Sequence, residues 1–145
     1  MKIIDDDNTP ELIKKISRLS NTGMQIGIFG ADDGEVVIYA TVHEFGSPKM
    51  NIPERSFIRA TFDSKGKEIG DIIEESIIRY LDDELSFTAA MDFIGEYLVG
   101  LVKKTIADMD SPPLQPETIA AKGSSGVLVD TGRLIDSITY KVVER

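Results

Sequence analysis

The residues that could do chemistry are few and scattered. His43 is the single imidazole, and Glu44 stands beside it. Acid–base or metal-assisted hydrolysis would need at least a nucleophile, a base or a further ligand set at workable spacing. The chain has no cysteine, so it offers neither a thiolate metal site nor a disulfide framework. Asp32, Asp33 and Glu35 cluster around Gly34. A calcium loop would need spaced oxygens and a later bidentate Glu, so a solvated turn is expected instead. Asp130-Thr131-Gly132-Arg133 reads as a helix start: Asp130 or Thr131 caps it, and Gly132 gives the chain room to turn. Gly23-x-x-x-Gly27-x-x-Gly30 could cradle a phosphate only between a strand and a helix N-terminus. Here the glycines are expected inside a strand and its turn. The serines have no base at an identifiable spacing. The expectation is therefore no enzyme: no catalytic, metal or cofactor-binding residue, and no cofactor.

Composition sets the wider limits. The chain has 145 residues, 41% hydrophobic and 28% charged, which suits one domain over 1–145 with one modest core. No apolar run approaches the roughly 20 residues of a membrane helix, so no membrane partner is expected. The start, Met1-Lys2-Ile3-Ile4-Asp5-Asp6-Asp7, turns acidic at once and reads as no signal peptide. A cytoplasmic place of synthesis fits these features. Net charge is −9, which disfavours nonspecific binding to a phosphate backbone by the chain as a whole.

The elements follow from pattern. Residues 9–20 predict a helix, with Thr9 as cap, Pro10 in the first turn and Leu12, Ile13, Ile16 and Leu19 at helical spacing. Met24–Gly30 alternates like a strand, 31–34 is a turn, and Val36–Tyr39 is rich in β-branched residues; together they predict a β-hairpin. Ala40–Phe45 predicts one helical turn, and Pro48 and Pro53 an extended loop. Phe57–Phe62 is helical, followed by a helix from Ser64 to Leu81 with Ile69, Ile72, Ile73, Ser76, Ile77 and Tyr80 on one face. Asp82-Asp83-Glu84 suits the start of the next helix better than the end of this one, and Ser86 is the expected cap. That next helix covers 87–108, with Ala90, Phe93, Ile94, Tyr97, Leu98, Leu101, Val102 and Ile106 as its stripe. Gly95 and Gly100 inside it predict close packing on a neighbour. Residues 109–127 are irregular, apart from one turn at Glu117–Lys122. A short helix Gly132–Ser137 and a strand Ile138–Val143, pairing with the hairpin, complete the chain. The fold class is α+β: a small, mostly antiparallel sheet, hairpin plus C-terminal strand, packed against two longer helices.

Two blocks remain. The first runs from His43-Glu44-Phe45-Gly46 through Ile52-Pro53 to Arg55, Phe57 and Arg59, with Tyr39 before it. The second holds Pro113, Leu114, Pro116, Thr118, Lys122, Leu128, Asp130, Thr131, Gly132, Leu134, Ser137 and Ile138. In this order they resemble the tail-completion and neck proteins of tailed bacteriophages, over most of residues 24–143. Glu54, where a small residue is usual, and the acidic start depart from the pattern. The resemblance implies a structural virion protein of the tail or neck, assembled in the cytoplasm of the bacterial host. It implies a closed homo-oligomeric ring, often hexameric, joining the tail to the head connector. The implied partners are connector or stopper proteins and tail-tube or terminator proteins, with genomic DNA passing through the lumen without sequence-specific binding.

A ring needs heterologous, head-to-tail contacts. The loop 45–56 is the natural candidate to reach a neighbour, and Phe45, Lys49, Met50, Ile52, Arg55 and Arg59 are its candidate interface residues. Over 45–67, Lys49, Arg55, Arg59, Lys65 and Lys67 outnumber Glu54 and Asp63, so a basic loop would face an acidic neighbour. Arg55 suits either an interface or a clamp on its own loop. Two prolines, a glycine and little apolar content predict a loop short of internal contacts that orders on assembly. Two other readings are a small nucleic-acid- or ligand-binding α/β domain, with Phe45, Arg55, Phe57 and Arg59 clamping a strand, and a metal-assisted hydrolase built on His43 and Glu44.

Overall fold

The computed structural model describes residues 7–30, 34–109 and 132–145. Its frame is a pair of long helices. Helix α3 spans Ile58–Leu81 and α4 spans Phe87–Ala107; here α1 is Thr9–Ser20, α2 Gly34–Phe45 and α5 Gly132–Ser137. The turn between α3 and α4 is closed by Asp82, Glu84 and Leu85 backbone N–H groups donating to Ile78 and Arg79 carbonyls, with Asp83 left-handed at φ 60°. Ser86 caps α4 as expected, its hydroxyl accepting from the Ala89 N–H at 3.1 Å. So short a connection makes the two helices antiparallel.

Their apolar faces explain the pairing. Ile69, Ser76 and Tyr80 are buried on α3, with Ile72, Ile73 and Ile77 half-buried beside them, which is the face the periodicity predicts. On α4, Ala90, Ile94, Leu98, Val102 and Ile106 are buried, but Phe93 is 45% exposed. The buried residues form two clusters, one at each end of the helix pair. Ile69, Tyr80, Phe87, Ala90, Met91, Ile94 and Leu98 fill one. Phe57, Val99, Val102 and Ile106 fill the other, together with Val36 and Ala40 of α2, Leu134 of α5 and Ile138.

The sheet has two strands. Strand β1, Thr22–Gly27, runs antiparallel to β2, Thr139–Glu144, in a register that places Thr22 opposite Glu144 and Gly27 opposite Thr139. The sheet lies on α4 through Tyr140. A Cβ at Gly95 would fall 2.4 Å from the Tyr140 ring, so any larger residue there must push the ring aside. The close packing predicted for Gly95 is real; at Gly100 no neighbour approaches, and nothing in the structure explains that glycine.

The α+β class and the packing of a small antiparallel sheet on two longer helices are as expected. Several details differ. The second hairpin strand, Val36–Tyr39, is part of helix α2, because Val36, Ala40, His43 and Glu44 are all buried along one helical side. The chain-terminal strand therefore pairs with β1 directly. Residues 58–81 form one helix rather than two. At α1, Thr9 is the first helical residue and its N–H donates to the Asp7 carboxylate at 3.0 Å, so Asp7 takes the role expected of Thr9. The irregular segment 109–127, apart from Met109, lies outside the described residues, as do the turn Glu117–Lys122 and the caps Asp130 and Thr131. No described helix is long and apolar enough to cross a membrane.

Candidate functional site

Helix α3 has Phe57 at its N-cap, a side chain that cannot accept a hydrogen bond from the first N–H groups. Glu44 supplies the acceptor from α2. Its carboxylate accepts from the backbone N–H of Phe57 at 2.8 Å, of Ile58 at 3.0 Å and of Arg59 at 3.0 Å. The Ser56 hydroxyl donates to it at 2.8 Å, and that hydroxyl also accepts from the Ala60 N–H at 3.3 Å. A negative charge at this end also matches the helix dipole. Burial by itself would raise the Glu44 pKa. The backbone donors of Arg59, Ile58 and Phe57 and the Ser56 hydroxyl outweigh burial and hold it below the ordinary glutamate value.

Arg59 closes the site from outside. Its Nε donates to Glu44 at 3.1 Å, and one terminal nitrogen donates to the Glu44 carbonyl at 2.7 Å and to Glu54 at 3.0 Å. The guanidinium lies 4.8 Å from the centre of the Phe45 ring. Between these anchors the chain turns tightly. Ser47 and Ile52 exchange backbone hydrogen bonds at 2.8 and 3.0 Å, a 3-10 turn spans Pro48–Met50, and Asn51 is left-handed at φ 52°. Gly46 has φ +72°, and a Cβ there would meet the Glu54 nitrogen at 2.9 Å. Glycine is therefore required. The Arg55 N–H donates to the His43 carbonyl at 2.7 Å.

The loop is thus tied down within the chain, contrary to the expectation that it lacks internal contacts. It is also not wholly extended, since Pro48 opens a helical turn. The six candidate interface residues divide. Phe45 and Met50 are 61% and 65% exposed, and Lys49 is exposed between them and the turn. Ile52 is half-buried in the Ser47 bridge. Arg55 is buried, at 8% exposure, and Arg59 is engaged by two carboxylates of its own chain. The expected basic surface is largely neutralised: Lys65 pairs with Glu68 and Lys67 with Asp71. Glu54 is part of the same lock.

A groove of about 250 Å³ runs beside the loop, lined by Ile28, by Val37, Ala40, Thr41 and Glu44 of α2, by Phe45, and by Phe57, Ile58 and Arg59, so that it is mostly apolar with the Glu44–Arg59 pair at one side. His43 and Glu44, adjacent in sequence, point to different surroundings about 100° apart around α2. His43 is buried against the Tyr39 ring, with centroids 4.3 Å apart. The two do not meet as an acid–base pair. Among the described residues no three His, Asp or Glu side chains gather as a metal site. Gly23 and Gly27 lie in β1, but the element after Gly30 is helix α2 rather than a strand. The glycines therefore do precede a helix. Asp32, Asp33 and Glu35 come next in the chain, with no lysine to meet a phosphate. Asp32 and Asp33 lie outside the described residues.

Sequence reasoning missed Glu44 as the centre of the site. The signal was present: a helix opening without Ser, Thr, Asp or Asn at its cap must find an acceptor elsewhere, and Glu44 is the carboxylate just before the loop.

No known protein family model matches the chain, and no solved structure matches it. A stretch of 62 residues, 43% of the chain, is 37% identical to an uncharacterized protein of Methanocaldococcus jannaschii. That stretch spans 42% of the relative's length, so the chain covers less than half of the curated protein it is similar to.

Proposed function

We propose that the chain is a tail-completion or neck component of a tailed bacteriophage, forming a ring that joins the tail to the head connector. The two ordered sequence blocks give the reading its origin. The observation that supports it is the build of the first block: a loop fixed at its base by the Glu44–Arg59 lock, with Lys49 and Met50 held outward at its tip. Fixing a tip in advance lowers the entropy cost of docking. A structural part needs that property; a nucleic-acid clamp built on Arg55 and Arg59 would need free guanidinium groups, and both are engaged or buried within the chain.

The test uses the loop tip. Lys49→Glu with Met50→Ala changes two exposed side chains and is expected to leave the melting temperature within about 2 °C, since surface changes are usually small. Added to tails lacking this protein, the wild-type chain is expected to restore joining to DNA-filled heads and the variant to fail. Full joining by the variant, or no joining by the wild type, overturns the proposal.

A further inference from the structure

Each strand of the two-stranded sheet pairs on one side only. Which backbone groups face the other side follows from one hydrogen bond. The Arg145 N–H donates to the Asn21 carbonyl at 2.7 Å, just past the strand ends. Hydrogen-bonded and non-hydrogen-bonded pairs alternate along an antiparallel ladder. With Thr22 opposite Glu144, the bonded pairs are then Gly23 with Val143, Gln25 with Lys141 and Gly27 with Thr139. The N–H and C=O groups of Thr22, Met24 and Ile26 therefore point away from β2, and those of Tyr140, Val142 and Glu144 point away from β1. Among the described residues none of these main-chain groups meets a hydrogen-bond partner. Neither strand holds a proline or a bulge that would block a further strand. Lys141, the charge that could guard the β2 edge, lies 4.1 Å from the centre of the Phe29 ring, just past the end of β1.

The two open edges match each other. Both strands are six residues long, and the outward groups recur at every second residue on each. Their side chains already fit. On the inner side Met24 lies opposite Val142, Ile26 opposite Tyr140, and Gln25 opposite Lys141. Met24, Ile26, Tyr140 and Val142 all pack on the core, so the two strands share one apolar face. β1 carries no charged residue, so a second β2 beside it brings no like charges together.

We infer that the open edge of β2 in one copy pairs antiparallel with the open edge of β1 in the next, in the register already used within the chain. The second copy then repeats on the outer edge the side-chain pairs of the inner one, Val142 beside Met24 and Tyr140 beside Ile26. Both apolar faces stay on the helix side of the sheet. A pairing of β2 with β2 would close a dimer and leave both β1 edges open. The β2–β1 contact is head-to-tail and leaves no open edge once the ring closes. It deepens the ring reading above and rests on it for closure.

The test is a cross-link between two single-cysteine chains, Gln25→Cys and Lys141→Cys. Both positions are exposed, and the protein has no other cysteine. Across the new ladder they form a non-hydrogen-bonded pair, the closer kind, within reach of a disulfide. Oxidised as a mixture, both alone and on tails lacking this protein, the two chains are expected to give a linked dimer with one copy of each. Neither chain oxidised by itself is expected to link. Amide exchange of wild type gives a second readout. Gln25 and Lys141 should exchange slowly in separate and in assembled copies, whereas Met24 and Val142 should slow about tenfold or more on assembly. A mixture without linked dimer in both settings, linkage of the Lys141→Cys chain with itself, or unchanged exchange at Met24 and Val142 in assembled protein would each overturn the contact. Chains that join tails without linking would sink this contact and leave the function standing. Chains that link and join no tails would do the reverse.

Discussion

Glu44 carries three backbone donors at once, and that determines what its loss should do. In Glu44→Gln the amide keeps one oxygen but turns an NH₂ toward N–H groups, so at least one donor loses its acceptor in a buried place. Hydrogen bonds to a charged group contribute about 1.5–3 kcal/mol, and the variant should lose about 2–4 kcal/mol of stability at neutral pH. The pH dependence has a definite sign. The folded-state pKa lies below the ordinary glutamate value of 4.5, so the stabilisation is fully present above that value. It is lost as pH falls below 4.5 through the lowered folded value. Urea unfolding at pH 7 and at successive steps below 4.5 should show a steeper acid loss in wild type than in Glu44→Gln; equal slopes would assign the acid sensitivity to other carboxylates. The burial of Arg55 favours a loop clamp over an interface contact. Arg55→Ala should lower the melting temperature, with tail joining falling only in proportion to folded protein, because a buried arginine contributes packing as well as charge. Unchanged melting with lost joining would return Arg55 to the interface. At this scale the sequence was partly legible. The motif singled out the segment that the Glu44 lock holds, and Phe45, Lys49 and Met50 in it are exposed, but which arginine faced outward depended on how α2 and α3 meet.

At the scale of elements, α3, α4 and the final strand were readable because their periodicity runs over many residues and their turns carry standard signals, Ser86 above all. Helix α2 was not. Val36-Val37-Ile38-Tyr39 has strand propensity, and a four-residue window cannot separate an alternating strand from the first turn of a helix. The longer spacing Val36, Ala40, His43 and Glu44 is helical, and burial of that side overrides local preference. The sheet depends on one packing detail that sequence hinted at through Gly95. Tyr140 lies across the α4 backbone there, and its hydroxyl donates to Asp92 at 2.7 Å. That hydrogen bond, helped by burial, pushes the Tyr140 pKa up to about 12. Gly95→Ala forces a methyl group into the ring's space, and overpacking of this kind costs about 1–3 kcal/mol. We expect the variant to unfold earlier and its Tyr140 to ionise at lower pH, as the ring moves off Asp92. Ultraviolet titration alongside thermal melts checks both; an unchanged titration would mean that the strand does not pack on α4 as described.

Across the whole molecule, the two sequence blocks that stand some seventy residues apart converge. Phe57, from the first, and Leu134 and Ile138, from the second, belong to one buried cluster, with Phe57 and Leu134 both 0% exposed. Spatial convergence gives the ordered pair of motifs a physical meaning: each block contributes one wall of the same core, and the Glu44 lock is built directly upon it. The part of the second block before Gly132 lies outside the described residues, so its role is carried by these apolar positions alone. The prediction at this scale is that the core and the docking surfaces separate cleanly. Phe57→Ala and Leu134→Ala should each cost about 2–5 kcal/mol, the range for emptying a large buried apolar site. Because the buried Phe57 ring anchors the backbone whose N–H, with those of Ile58 and Arg59, meets Glu44, Phe57→Ala should in addition loosen the loop 45–56, seen as faster hydrogen exchange at Ser47 and Ile52. Leu134→Ala, on the other wall, should weaken the fold without that local effect. Lys141→Cys, exposed on β2, should do neither. If Leu134→Ala opened the loop as much as Phe57→Ala, the loop would be reporting global unfolding, and the Glu44 lock would not be the element that holds it.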